Sequence, residues 1–255
     1  MTALRQTYRD QIVAIMDRTL ANEAAPLDAA RDAIAAALRA DRLIHVAGSG
    51  HSHLIALEVF YRAGGIAAAQ ALLDEDLMLH RGAERSTLLE RESGRAAAVL
   101  ARHRVSPGDV VIIVSNSGRN AYPVEFALLA RAAGAVTIAL TSRQHSTAVA
   151  SRHTSGKRLF ELADIVLDNG GVPGDAGLQI PGLQIPGLQV PGHAGKMGPT
   201  STIIGVWMLN LLLAEAVAQL AAEGISVDVW QSANADQGDN SAALIARWRT
   251  RLHGL

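Results

Sequence analysis

Apolar positions along this chain follow two patterns, helical spacing and short unbroken runs. Before residue 41, apolar residues recur every three or four positions and predict two helices, over 2–20 and 27–40. Beyond it, the unbroken runs predict five strands at 43–47, 66–72, 110–114, 136–140 and 165–167. The segments that predict further helices are 52–63, 86–102, a helix with Pro123 in its first turn, one ending near Ala222 and 239–252. Alternating strands and helices indicate a parallel sheet covered on both faces.

Two hydroxyl-rich loops follow strands of this sheet, and each precedes a helix. They are Gly48-Ser49-Gly50-His51-Ser52-His53 and Ser115-Asn116-Ser117-Gly118-Arg119-Asn120. Parallel strands bring such loops to one edge of the sheet, where open α/β folds bind ligands. Hydrogen bonds to a charged acceptor contribute roughly 1.5–3 kcal/mol each, so several donors together hold a phosphate without a lysine. The side chains that we expect at this edge are Ser49, Ser52, Ser115, Ser117, Thr141 and Ser142.

Charged residues and a third helix start extend this candidate anion site. Pro199 and the hydroxyls of residues 200–202 begin a long apolar helix, whose first turn offers backbone N–H groups to an anion. Arg119 and Lys196 are candidates to face the anion, although a surface salt bridge explains either residue equally well.

The first loop supports neither a dinucleotide nor a metal. Gly48-Ser49-Gly50 matches only the opening of the dinucleotide-binding motif, because the third glycine is missing. An ordinary turn in which Ser52 caps the helix remains an alternative. His51 and His53 lack the supporting ligands of a metal site, and neither Ser115 nor Ser117 lies in a hydrolase nucleophile motif. We therefore expect no cofactor and no metal.

Residues 177–191 contain three near-identical pentapeptides, two of Gly-Leu-Gln-Ile-Pro and one of Gly-Leu-Gln-Val-Pro. A proline at every fifth position excludes a regular helix and interrupts a strand ladder. The repeat therefore predicts an exposed loop, either extended or a series of turns.

Composition narrows the class of protein. The chain has 255 residues, 49% of them hydrophobic, and a net charge of −1 from 23 basic and 24 acidic side chains, without a basic run that would track a nucleic acid. It has no cysteine, which fits a reducing compartment. The start of the chain does not resemble a signal peptide, and the apolar run 203–213 is too short to span a membrane. We expect a cytoplasmic protein that binds neither nucleic acid nor membrane.

The two serine loops, together with Thr141 and Ser142, resemble the sugar isomerase (SIS) domain, a phosphosugar-binding family, over about residues 30–225. The segments Ser151–Lys157 and Lys196–Gly205 look most like a bacterial group of stand-alone SIS proteins. The resemblance implies an αβα sandwich of the flavodoxin-like type, with a five-stranded parallel sheet and the terminal helices packed outside. It also implies a sugar phosphate held by the loops, and homodimers or homotetramers whose sites borrow a neighbour's residues.

This resemblance also divides the chain and its site into parts. A single domain is expected, with a helical arm over 1–40, a core over 41–225 that includes the repeat loop, and a C-terminal loop and helix over 226–255. The expected contacts with the phosphosugar are Ser49, Ser52, Ser115, Ser117, Asn120, Thr141, Ser142 and Lys196.

Two residues are candidates for catalysis. The resemblance implies a glutamate base on the helix before the third strand, and we prefer Glu90 because Glu92 lies about 200° away on a helix. A histidine that titrates near neutrality would move protons on oxygen, and His51 in the first loop is preferred. The other open candidates are His53, His80, His145 and His153, whereas mid-strand His45 reads as a core residue.

These residues predict an aldose-ketose isomerase that acts on a sugar phosphate through an enediol. Two alternatives stay open. The first is a lyase or etherase acting on an amino-sugar phosphate, which starts with the same proton abstraction. The second is a sensor that binds a phosphosugar without changing it.

Overall fold

A five-stranded parallel sheet forms the centre of the computed structural model, which describes residues 2–183, 195–232 and 241–255. Its strands are β1 (Ile44–Gly48), β2 (Ala69–Leu72), β3 (Val110–Val114), β4 (Val136–Thr141) and β5 (Ile165–Asp168). They are ordered β2-β1-β3-β4-β5, and every neighbouring pair is parallel. The predicted parallel sheet is therefore confirmed.

Helices cover both faces of the sheet. They are α1 (Thr2–Asn22), α2 (Ala24–Arg39), α3 (Ser52–Glu58), α4 (Ala83–Leu89), α5 (Arg95–His103), α6 (Ala121–Ala132), α7 (Arg143–Thr147), α8 (Ser201–Ala222) and α9 (Ser241–Trp248). One face packs against α2, α3 and α8, and the other against α5 and α6. This is the predicted αβα sandwich.

Burial on both faces explains why the strands are unbroken apolar runs in the sequence. In β3, Val110, Ile112 and Val114 belong to the core shared with α2, α3 and α8. The alternate residues, Val111 and Ile113, belong to the core shared with α5 and α6. A strand covered on both sides needs apolar residues at every position, so the period of two disappears.

The N-terminal residues contribute to the sandwich itself. In α2, Ala30, Ile34 and Ala35 are fully buried in the same core as β1 and β3. The predicted arm over 1–40 thus supplies one of the helices that cover the sheet, because the apolar stripe of α2 is buried against α8 and the strands.

The expectation that no apolar segment reaches membrane-spanning length is wrong. α8 is one helix of 22 residues and is long and apolar enough by length and composition alone. In this structure Ile204, Met208 and Leu212 of α8 are fully buried in the core. A core helix passes the same test, so the length of α8 is weak evidence for a membrane span.

Three predicted elements are shorter than expected. The helix predicted over 86–102 is two helices, α4 and α5, because Gly94 interrupts it with a φ of 94°. The helix predicted over 52–63 ends at Glu58, before Tyr61 adopts a φ of 49°. The strand predicted over 66–72 begins at Ala69 in the sheet, and Ile66 instead forms an isolated bridge with Val229.

Only the first part of the pentapeptide repeat lies within the described residues. There, Leu178 and Gln179 form β6 (Leu178–Gln179), which pairs antiparallel with β7 (Lys196–Met197). Leu178 is buried, so this part of the repeat is paired instead of forming an exposed loop. Residues 184–191 of the repeat lie outside the described residues.

The close packing of α3 on the end of β1 predicts that Gly48 cannot carry a side chain. A Cβ at Gly48 would lie 2.5 Å from the carbonyl oxygen and 2.7 Å from the Cβ of Ser52. Gly48→Ala should lower the free energy of unfolding by about 3 kcal/mol, the upper end of the overpacking range, as measured by urea denaturation.

Gly64→Ala is the matched control. Gly64 has a φ of 80° but no atom within 4 Å of the added Cβ, so we expect a loss of about 1 kcal/mol from backbone strain alone. Equal losses for the two variants would show that α3 can move away from the strand.

Candidate functional site

The strand order reverses between the ends of β1 and β3. From β1 the chain crosses to β2 on one side, whereas β3, β4 and β5 follow on the other. The loops after β1 and β3 therefore diverge from adjacent strands, whose axes are about 4.8 Å apart. Ligands of open α/β sheets bind at such a reversal of strand order.

The loop after β1 holds one serine against a carboxylate and leaves another free. Ser49 is buried and donates its hydroxyl to Oε1 of Glu90 at 2.7 Å. Ser52 begins α3, and its backbone N–H donates to the carbonyl of Ser49 at 2.9 Å. The hydroxyl of Ser52 makes no hydrogen bond with the described residues. His51, between them, is exposed.

Glu90 lies at the C-terminal end of α4. Its backbone N–H donates to the carbonyl of Ser86, and its carbonyl accepts from the N–H of Tyr122 at 3.2 Å. α4 begins at Ala83, before the predicted helix start at residue 86, and the Ser86 hydroxyl donates to the carbonyl of Leu77. Glu90 is half-buried, whereas Glu92 is exposed. The contact with Ser49 was not predicted from the sequence, and the catalytic role of Glu90 stays a prediction.

The loop after β3 is folded by its own serine. The hydroxyl oxygen of Ser115 accepts from the N–H of Gly118 at 3.2 Å, and Gly118 has a φ of 55°. The N–H of Leu159 donates to the carbonyl of Gly118 at 2.8 Å, which fixes the turn from outside. Ser117 is half-buried, and its hydroxyl has no hydrogen-bond partner among the described residues. The hydroxyl of Ser117 is therefore free to donate to a ligand.

Thr141 and Ser142 use their hydroxyls inside the protein. The Thr141 hydroxyl donates to the carbonyl of Ser115 at 2.7 Å, and that of Ser142 donates to the carbonyl of Gly171 at 2.6 Å. Both residues are fully buried. Their expected contact with the ligand is therefore corrected to a supporting role, because their hydroxyl hydrogens are engaged with backbone acceptors.

A segment that sequence reasoning did not place in the site packs against the second loop. The N–H of Arg152 donates to the carbonyl of Arg119 at 2.7 Å, and its guanidinium donates to Oδ1 of Asn120 at 3.1 Å. Burial and the charges of Arg119 and Arg91 lower the pKa of Arg152, while Glu90 acts in the opposite direction. Nε of Arg119 is buried without a hydrogen-bond partner.

The charge of Arg152 is thus influenced by two other arginines, Arg119 and Arg91, and by the carboxylate of Glu90. Only the resemblance of segment 151–157 to SIS proteins could have indicated Arg152 from the sequence, because the residue follows none of the three loops directly.

The third candidate anion contact is occupied by the protein itself. Oδ1 of Asp175 accepts from the backbone N–H groups of Thr200 and Ser201, at 3.0 and 3.1 Å. The start of α8 is thus satisfied by an internal carboxylate. Lys196 lies on β7, which pairs with β6, and among the described residues its side chain makes no hydrogen bond or ion pair with the two serine loops.

The candidate histidines separate by burial and contacts. His45 is fully buried, and its Nε2 lies 3.1 Å from Oδ2 of Asp109, which confirms it as a core residue. His53 is buried, and neither ring nitrogen has a hydrogen-bond partner. His80 is exposed, and His153 bonds through Nδ1 to the hydroxyl of Ser155 at 2.8 Å. The role of His51 stays a prediction.

Comparison with known proteins points to one family. The SIS domain profile matches residues 7–142. A UPF0309 protein of Listeria monocytogenes serotype 4b is 40% identical over 246 residues, which cover 96% of each chain.

Solved structures share the fold at low sequence identity. Phosphoheptose isomerase GmhA from Neisseria gonorrhoeae is 16% identical, with a TM-score of 0.55 over 84% of this chain and 96% of that one. The Vibrio vulnificus NanR protein, solved in complex with ManNAc-6P, is 16% identical, with a TM-score of 0.50 over 86% of this chain and 64% of that one.

Buried His53 predicts a loss of stability in acid. Desolvation by burial lowers the pKa of His53 from an ordinary 6.5 to about 4. At a pH between 4 and 6.5, the histidine of the unfolded chain takes up a proton that the folded chain does not. The free energy of unfolding therefore falls as the pH falls from 6.5 to 4. This difference in pKa corresponds to a loss of at most about 3 kcal/mol in the free energy of unfolding.

Urea denaturation of wild type, His53→Gln and His51→Gln at several pH values tests this. His53→Gln should reduce the dependence on pH, whatever it does to stability at neutral pH. Exposed His51 is the matched control, and His51→Gln should keep the wild-type slope. Equal slopes for wild type and His53→Gln would contradict the assignment.

Proposed function

This chain belongs to the SIS-domain family, and on that premise we propose that it binds a sugar phosphate in the crevice between the loops after β1 and β3 and isomerises it. The observation that carries the proposal is the bond from Ser49 to Glu90, 2.7 Å long, beside serines whose hydroxyls are free. This bond fixes the carboxylate of Glu90 close to serine hydroxyls that are free to donate, at the point where the strand order reverses.

The phosphate is anchored by the free donors of the two loops. Ser52 and Ser117 are the hydroxyls without internal partners, and the guanidinium groups of Arg119 and Arg152 add positive charge. The fold shared with a phosphoheptose isomerase and with a protein solved with ManNAc-6P supports a sugar phosphate as the ligand. Phosphate binding energy then positions the reacting carbons.

Glu90 acts as the base. Its carboxylate removes the proton from the carbon next to the carbonyl of the open-chain sugar, and the electron pair forms the enediolate. Returning the proton to the former carbonyl carbon, while the hydroxyl proton moves between the two oxygens, converts an aldose into a ketose. Ser49 holds Oε1 of Glu90, and Oε2 makes no hydrogen bond with the described residues. Oε2 is thus the oxygen available for the substrate.

Proton transfer between the oxygens requires a second group. His51 is the preferred residue, since it is exposed in the loop that also carries Ser49 and Ser52. The predicted homo-oligomer and the predicted cytoplasmic location remain part of the proposal.

A thermal-shift screen identifies the substrate class. Hexose, heptose, pentose and amino-sugar phosphates are compared with their unphosphorylated sugars, because a ligand of the folded state raises the melting temperature. The stabilising sugar phosphate is then incubated in deuterated water. Exchange at the carbon next to the carbonyl, with a ketose product, supports the isomerase. Loss of a substituent indicates a lyase or etherase, and no exchange indicates a sensor.

Replacing Glu90 by glutamine should abolish turnover while leaving the affinity for the sugar phosphate nearly unchanged, because the amide keeps the shape but cannot take a proton. Proton exchange followed by NMR measures turnover, and calorimetry measures affinity. Glu92→Gln is the matched control, since Glu92 is exposed on the same segment and should keep wild-type turnover. Undiminished turnover in Glu90→Gln would remove Glu90 from the mechanism.

Ser117→Ala should weaken binding of the sugar phosphate about 10- to 100-fold, because one hydrogen bond to a charged acceptor contributes roughly 1.5–3 kcal/mol. Affinity for the unphosphorylated sugar should barely change. Exposed Ser226 is distant from both loops in sequence, and Ser226→Ala serves as the control. A loss of equal size for both sugars would show that Ser117 does not contact the phosphate.

A further inference from the structure

A polar pocket lies near the edge of the sheet where the strands begin, opposite the edge that carries the serine loops. Its volume is about 180 Å³. It is formed where the end of α5 meets the chain after α9. Its lining residues are Arg102, His103, Arg104, Thr250, Arg251, Leu252 and His253. The serine loops follow the carboxyl ends of the strands, so this pocket is separate from the proposed sugar-phosphate site.

The charged groups of this pocket all have one sign. Among the described residues, three arginines and two histidines line it, and no carboxylate does so. Arg251 is fixed in place, since its guanidinium donates to Oδ1 and to the backbone carbonyl of Asp41, at 2.8 and 2.6 Å. Arg102 and Arg104 are exposed, and their guanidinium groups have no hydrogen-bond partner among the described residues. They remain available to an anion.

The two histidines of the pocket lie close together, and none of the described lining residues is acidic. The rings of His103 and His253 have centroids 5.0 Å apart. His103 is only 8% exposed, and its Nδ1 is buried without a hydrogen-bond partner. Burial, then His253, His45 and Arg102, lower the pKa of His103 to about 4. The carboxylate of Asp109 pairs with His45, and that of Asp41 pairs with Arg251, so neither bonds to these two histidines.

Two segments distant in sequence are held together to form this pocket. Gln70 in β2 is 2% exposed, accepts from the N–H of His253 at 2.6 Å and donates to the His253 carbonyl at 3.2 Å.

The favourable effect of basic residues at a helix C-terminus explains Arg102 at the end of α5. It does not explain Arg251 and His253, which come from another segment.

We propose that this pocket binds a small oxyanion, a phosphate or carboxylate group, between the arginines at the end of α5 and His253. A tetrahedral phosphate group fits the volume, and charge-assisted hydrogen bonds from guanidinium groups are the strongest neutral-pH contacts for it. The anion supplies the acceptor that the guanidinium groups of Arg102 and Arg104 lack, whereas Arg251 already bonds to Asp41. A free phosphate and the phosphate of a metabolite have the same chemistry here, so the test uses both.

Inorganic phosphate is titrated into the protein while NMR follows the ring C–H resonances of His103 and His253. We expect saturable movement of both resonances in wild type and in Ser117→Ala, which separates this pocket from the serine loops. Arg102→Gln combined with Arg104→Gln should weaken the apparent affinity at least tenfold. Both residues are exposed, so the variant should fold. A sugar phosphate that moves the resonances at lower concentration identifies a metabolite as the ligand, and equal potency identifies free phosphate.

Arg249→Gln is the matched control, since exposed Arg249 belongs to the same segment but does not line the pocket. It should keep the wild-type affinity. Two results would overturn the proposal. One is the absence of saturable movement of the His103 and His253 resonances. The other is an equal loss of affinity in Arg249→Gln and in the double variant, which would reflect general attraction to a basic surface.

Discussion

The reversal of strand order beside β1 is the constraint on which the site depends. β1 pairs with β2 on one side and with β3 on the other, so the chain leaves neighbouring strand ends in opposite directions. Ligands of open α/β sheets bind where the strand order reverses in this way, and we propose the same for this protein. The glycine that ends β1 lets α3 pack directly on the strand, which fixes the start of the first loop.

The hydroxyl groups around this crevice divide into two sets. Ser115, Thr141 and Ser142 are buried, and their hydroxyls bond to backbone groups that shape the loops. Ser52 and Ser117 have no such partner. A binding site for a charged group needs both sets, because free donors bind well only where the loop that carries them is already fixed.

Most of the fold could be predicted from the sequence, since strands buried on both faces appear as unbroken apolar runs. The strands β3 and β4 fell within one residue of their predicted ends. The break between α4 and α5 was harder to predict. Whether a glycine such as Gly94 interrupts a helix depends on tertiary contacts that the local sequence does not show. The burial of the apolar stripe of α2 could not be predicted from the local pattern either, because the stripe packs against α8, which is far away in the sequence.

The site was only partly predictable for a similar reason. Sequence position placed Ser52 and Ser117 at one edge of the sheet, but it could not tell them from Thr141 and Ser142, whose hydroxyls meet distant carbonyls. The bond between Ser49 and Glu90 joins residues 41 positions apart, and Arg152 reaches Asn120 across 32. Such contacts follow from packing and not from local pattern.

A crystal structure of the Glu90→Gln variant with the stabilising sugar phosphate tests the central claim most directly, because a variant without turnover would retain its substrate. The account predicts phosphate oxygens within hydrogen-bond distance of the Ser52 and Ser117 hydroxyls, with the carbon next to the carbonyl facing residue 90. A phosphate bound elsewhere, with both hydroxyls facing only solvent, would contradict it.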